Sequence, residues 1–223
     1  TLSYPDTNYS PNGLVAAVMN TDSPGAVTYS TTSPASVCVL NTSTGTATIK
    51  GVGNCVINAV VAGTTYYLTN NTVATLRILK SAQAAFTLTN QSSTNYMQTL
   101  TLASTGGSGT GAVTYTPTGS CQLFGTTLVP GDAGSACAIT ATKAGDANYE
   151  PITTAVMNIT VNKIAQATLN LVNLATTEVG EFDLVAAGGS GTGAVNFEIV
   201  SAGTANCSIV TGKLVSTLSL IHI

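Results

Sequence analysis

The sequence predicts an all-β chain of small two-layer modules set in tandem. Three observations carry this: an internal repeat, cysteines that keep step with it, and short alternating apolar segments parted by glycine-rich turns.

The repeat is read directly. Gly106-Gly-Ser-Gly-Thr-Gly-Ala-Val113 recurs as Gly188-Gly-Ser-Gly-Thr-Gly-Ala-Val195, an offset of 82 (188 − 106). Ala82-Gln83-Ala84 recurs as Ala165-Gln166-Ala167, an offset of 83 (165 − 82). A weaker copy comes first, since Gly25-Ala-Val-Thr-Tyr29 matches Gly111-Ala-Val-Thr-Tyr115. After the second cysteine of each copy, Cys55-Val-Ile-Asn-Ala59 matches Cys137-Ala-Ile-Thr-Ala141. Ala62-Gly63 then matches Ala144-Gly145, and Tyr67 matches Tyr149. The expected modules are 1–81, 82–164 and 165–217, with 218–223 outside them. The joints at Lys80-Ser81 and Asn162-Lys163 hold no Gly or Pro run, so close coupling of neighbours is expected. Thr1 is expected to fall within a module and not at the start of one. The third copy is expected to lack its C-terminal half.

The segments suit strands. Met97–Ala103, Ala112–Thr116, Ala136–Thr142 and Thr154–Val161 are short, and none keeps a helical period. Ile159 and Val161 are expected on one face, Asn158 and Thr160 on the other. Abundant Thr and Val fit a pleated, half-buried surface, while Gly, Asn and Ser supply turns. Strands at this density, with turns every eight to twelve residues, predict a sandwich.

Composition excludes several functions. Charged residues are 7% of the 223, and the net charge is −3, so the clustered Lys and Arg of a nucleic-acid surface are lacking. No apolar run approaches the ~18 residues of a membrane helix.

The five cysteines are spaced as two short pairs and one remainder. Cys38 with Cys55, and Cys121 with Cys137, read as disulfides closing loops within a module, which implies an oxidising compartment. The alternative is buried free cysteine in a reduced protein. Cys207 reads as the first member of a third pair, because Ile209, Leu214 and Val215 follow it as Leu123, Leu128 and Val129 follow Cys121. Its partner falls at or just past the end of the sequence, so Cys207 is expected to be unpaired. No CxxC pair accompanies these cysteines, and no metal site is expected. The tail Leu218-Ser-Leu-Ile-His-Ile223 resembles a translated transposase adapter from sequencing libraries. It is read as non-native, which removes the sole histidine, His222. The alternative is an ordinary apolar strand.

Cys137-Ala-Ile-Thr-Ala-Thr-Lys-Ala-Gly-Asp-Ala-Asn-Tyr149, with Ile159-Thr-Val161 and Lys163-Ile-Ala-Gln166, resembles the repeated bacterial immunoglobulin-like domains of large surface and secreted proteins. The first copy departs from that pattern, with Thr64-Thr-Tyr66 in place of Asp146-Ala-Asn148 and no Gly-Gly-Ser-Gly-Thr loop. The resemblance implies an extracellular or cell-surface stalk, spacer or adhesin segment with no reaction of its own. Its partners would be neighbouring repeats, with host or matrix glycans and proteins as external candidates. A carbohydrate- or protein-binding module and an accessory region of a secreted hydrolase are the alternatives.

Each candidate chemistry has a plainer reading. Gly106–Gly111 lacks the Lys-Ser/Thr of a phosphate loop and precedes a strand, so it reads as a turn. Asp146 with Glu150, and Glu178, Glu181 and Asp183, are too sparse for a calcium loop and read as solvated charge. Tyr67 and Tyr149, as a sugar platform or a packed corner residue, read as packing. No Ser or Cys has a base beside it; no catalytic residue and no cofactor are expected.

Overall fold

Gly53–Val61 shows how the pattern becomes structure in the computed structural model. Its side chains alternate, burying Cys55, Ile57, Ala59 and Val61 while the intervening ones face outward. It lies between Val27–Thr31 and Asn70–Leu79, both antiparallel to it. Thr7–Asn8 completes the sheet, parallel to Asn70–Leu79. A second sheet holds Leu14–Val15, Ala47–Ile49 and Cys38–Leu40. Leu2, Tyr4, Val15, Tyr29, Ile49, Ile57, Leu76 and Ile78 fill the space between. The Tyr4 hydroxyl donates to the Gly45 carbonyl at 2.6 Å inside this core. Burial, and then the neighbouring Tyr29, push its pKa up to about 12.

The same plan recurs in the following residues. Cys137–Lys143 pairs with Val113–Gly119, with Ile152–Thr153 and with Met157–Asn158. Pro117 is accommodated because Val113–Gly119 is an edge strand. Thr127–Val129 lies between Leu100–Thr101 and Gln122–Phe124 in the facing sheet. Ser93–Asn95 runs parallel to Thr160–Asn162, as Thr7–Asn8 does to the last strand of the first repeat. Leu102, Leu128, Ile139 and Ile159 form a second, separate core. Ile159 and Val161 are buried, and Asn158 and Thr160 are exposed, in line with the alternation.

In each of these two repeats a disulfide ties one sheet to the other. Cys38 of Cys38–Leu40 is bonded to Cys55 of the facing central strand, with Cα atoms 6.0 Å apart. Cys121, just ahead of Gln122–Phe124, is bonded to Cys137, with Cα atoms 5.4 Å apart. The fold is an immunoglobulin-like sandwich repeated in tandem.

The structure describes all residues except 173–175, 178, 203–205, 217–220 and 223. Among the described residues every regular element is a strand. Thr1–Lys163 form one compact unit and Ile164–Ile223 another. The second unit has a three-stranded sheet, Gly180–Asp183, Lys213–Ser216 and Ser208–Val210, matching Leu100–Thr101, Thr127–Val129 and Gln122–Phe124. Leu169–Leu171 pairs with Ala186–Gly188, as Phe86–Leu88 does with Ser104–Gly106. Residues 195–201, the counterpart of Val113–Gly119 at the offset of 82, form no strand. Cys207 is half-buried and free. Of the tail, 218–220 and 223 lie outside the described residues, and the backbone of Ile221–His222 pairs with Thr176–Thr177.

One expected boundary moves. Met97 does not begin a strand: it lies in a turn at φ 65° and is exposed, and the strand starts at Leu100. The left-handed turn reverses the chain after Ser93–Asn95, so the apolar alternation holds from Leu100 onward.

The inter-sheet bonds compensate for small cores. Replacing Cys121 and Cys137 together by Ala should lower the stability of the second repeat by about 3 kcal/mol. Chemical denaturation with and without reductant would measure it. No difference between the two conditions would mean that the bond does not hold the sheets.

Candidate functional site at the repeat joint

The motifs of the second repeat converge on one end of its sandwich. Gln83 lies at their centre and is buried, with 7% exposure. Its amide donates to the carbonyls of Glu150 at 2.9 Å and Ala144 at 3.2 Å, with that of Lys143 at 3.5 Å. Its Oε1 accepts the Gly109 N–H at 3.1 Å. One side chain thereby holds the linker, the glycine loop and the loop after Cys137–Lys143. Ser108 Oγ accepts the Ala84 N–H at 3.0 Å, and Lys143 Nζ donates to the carbonyls of Gly106 and Gly107.

The loops approach so closely that side chains are excluded. A Cβ on Gly111 would lie 2.0 Å from the Ala144 carbonyl oxygen, and one on Gly109 would lie 2.8 Å from Asp146 Oδ2. The recurrent glycine run is a packing requirement of this end.

Asp146 shapes the second loop. Oδ1 accepts the N–H groups of Asn148 at 2.8 Å and Tyr149 at 2.9 Å. Oδ2 accepts the Thr110 N–H at 2.7 Å and its hydroxyl at 3.2 Å. These bonds, the Thr110 N–H first, hold the carboxyl down to about 2. Asp146 is thus a turn-forming group and not the solvated loop charge expected from sequence. Glu150 contributes its backbone to this loop and is itself exposed.

The turn presents Asn148 and Tyr149 to the first repeat. Ser81 is caught on both sides, its N–H donating to the Asn148 carbonyl at 3.0 Å and its carbonyl accepting the Glu150 N–H at 2.9 Å. Asn148 Oδ1 accepts the Val52 N–H at 3.0 Å. The Tyr149 ring meets Tyr9 edge to face, with centroids 5.4 Å apart and planes at 87°. Tyr149 therefore packs, but across the joint and not at a corner of its own sandwich. Its counterpart Tyr67 stays 48% exposed.

The second unit repeats part of this wiring. Gln166 Oε1 accepts the N–H groups of Ser190 and Gly191, and Ser190 Oγ accepts the Ala167 N–H. Asp183 pairs with Lys213 at 3.4 Å, while Glu178 lies outside the described residues. Among the described residues no three His, Cys, Asp or Glu side chains gather as metal ligands.

Sequence reasoning marked Gln83 and Tyr149 as repeated letters, and Asp146 as a loop charge that the first copy lacks, without seeing that they meet. It missed Tyr9, Val52 and Asn148 as partners. The recurrence of Thr7-Asn8-Tyr9 as Thr94-Asn95-Tyr96 is the signal that points to Tyr9.

No protein-family model matches the chain, and no curated protein matches it. Among solved structures it is similar to EC1-4 of Drosophila N-cadherin, with TM-score 0.31, 10% identity, and coverage of 86% of this chain and 60% of that one. It is similar to extracellular cadherin domains 1-5 of protocadherin gamma B2, with TM-score 0.32, 12% identity, and coverage of 99% and 53%. It is also similar to fibronectin(III)-like modules of Clostridium thermocellum CbhA, with TM-score 0.27, 12% identity, and coverage of 73% and 95%. The chain spans 60% and 53% of the length of the two cadherin chains.

Two outcomes follow from this wiring. Gln83→Leu leaves part-buried carbonyls without their donor and should cost about 1 kcal/mol in denaturation of the full chain. A neutral effect would mean that the amide is not structural. The Asp146 carboxyl is lowered in the folded chain, so its contribution is complete above the ordinary value of 3.8 and is lost as pH falls through about 2. Its carboxyl carbon shift, followed by NMR, should titrate near the lower value. A midpoint near 4 would contradict the turn.

Proposed function

We propose that this chain is a non-catalytic spacer segment of a bacterial cell-surface or secreted protein, in which consecutive sandwiches are locked at their joints. The repeats 1–81, 82–164 and 165–217 are its units. They hold some other domain away from the cell. The outward role is adhesion or display, and host or matrix glycans and proteins are met by the parts displayed.

One observation supports this reading above the others: Ser81, the linker residue, is hydrogen-bonded on both sides by the Asn148 and Glu150 backbone. A linker held this way cannot act as a free pivot, and orientation is passed from one sandwich to the next. The Asn148 bond to Val52 and the edge-to-face tyrosines add contacts off the linker axis, which resist bending. Two inter-sheet disulfides fit an extracellular setting.

Stiffness is the testable property. Nuclear spin relaxation on the full chain should give one rotational diffusion tensor for residues 1–163. In a variant with Asp146→Ala, Asn148→Ala and Tyr149→Ala, the turn that holds Ser81 is released along with the Val52 and Tyr9 contacts. Residues 1–80 and 82–163 should then tumble with separate tensors. Separate tensors in the unaltered chain would remove the basis for a spacer.

A further inference from the structure

We propose that the outer end of the first repeat is a socket of the same kind as the one Gln83 fills, and that it receives the glutamine-bearing linker of a further repeat. The proposal builds on the spacer reading and names the partner.

The inference starts from what lines an open groove of about 310 Å³ at that end. Val61, Leu68 and Ser23 are among its walls. Val61 and Leu68 are the counterparts of Lys143 and Glu150 at the cysteine offset (143 − 82 = 61; 150 − 82 = 68). Ser23 is the counterpart of Gly109 at the offset of the Gly-Ala-Val-Thr-Tyr segments (111 − 25 = 86; 109 − 86 = 23). Three of the four residues whose backbone binds Gln83 thus have their equivalents around this groove.

The strand register agrees. Leu2 pairs with Met19 as Phe86 pairs with Gly106. A residue two places ahead of Thr1 therefore stands where Gln83 stands, three ahead of Phe86. The Ser23 N–H is already held by Thr21 Oγ1 at 3.2 Å, so the carbonyl side of the groove is the anchor for an incoming amide.

The loop beside the groove is built like the joint loop. Thr64 Oγ1 accepts the N–H groups of Tyr66 at 3.3 Å and Tyr67 at 3.2 Å, as Asp146 Oδ1 does for Asn148 and Tyr149. The Thr64 N–H donates to the Tyr67 carbonyl, as that of Asp146 does to Tyr149. The turn displays Tyr66 at 91%, Tyr67 at 48% and Leu68 at 93% exposure. Tyr67 holds the position from which Tyr149 meets Tyr9. Tyr66 replaces Asn148, so this socket offers an aromatic ring where the other offers a side-chain amide. The occupant is a neighbouring sandwich whose exit carries Ala-Gln-Ala and a tyrosine placed like Tyr9.

The test adds the linker to the full chain. A five-residue extension, Lys-Ser-Ala-Gln-Ala, placed ahead of Thr1 reproduces residues 80–84 in register. The control carries alanine in place of that glutamine. The glutamine extension should raise the unfolding midpoint over the control. Its side-chain amide protons should exchange at least about threefold more slowly than in a free peptide, with NOE contacts to Val61 and Leu68. Equal midpoints and free-peptide exchange would overturn the proposal. A rigid 1–163 with an unprotected glutamine refutes the socket alone; a protected glutamine with a flexible 1–163 refutes the spacer alone.

Discussion

The buried amide of Gln83 is the constraint on which the joint depends. A primary amide offers two donors and two acceptor sites on one rigid plane. Here that plane satisfies backbone groups from two separate loops while the main chain carrying it leads in from the preceding sandwich. The glycines facing it give up side chains so that the loops can close around it. Asp146 then fixes the outer turn, and the outer turn holds Ser81. Each layer of contact presupposes the one beneath it.

The sandwiches themselves are thin. Their interiors are built of Ile, Leu, Val, Ala and Tyr, with four phenylalanines and no tryptophan in the whole chain. Such cores bury limited apolar area, and marginal stability is the expected result. The cystine in each of the first two repeats acts where that matters most, between the central strand of one sheet and the start of a strand in the other. Its contribution comes mainly from restricting the unfolded chain, so it requires no larger interior.

Much of this architecture was legible in the sequence, and the reasons are local. The alternation of Cys137 to Lys143, the facing of Ile159 and Val161, and the nearness of the paired cysteines depend on period and spacing. The joint was not legible, because Tyr9 and Tyr149, or Val52 and Asn148, meet only after two sandwiches are stacked. Asp146 misled for a related reason: an acidic residue between Gly and Ala looks solvated until the glycine loop folds over it. Met97 misled because its side chain suits a strand while its backbone turns left-handed.

The parallel ladders have a mechanical consequence. In each of the first two repeats a strand near the entry runs alongside the exit strand in the same direction: Thr7–Asn8 with Asn70–Leu79, and Ser93–Asn95 with Thr160–Asn162. Tension that draws the entry one way and the exit the other slides such strands lengthwise, so their hydrogen bonds are loaded in shear. The bonds must yield together, whereas a hairpin pulled open from its end unzips one rung at a time. The ends of each sandwich are thereby clasped against the direction in which a tether would be hauled.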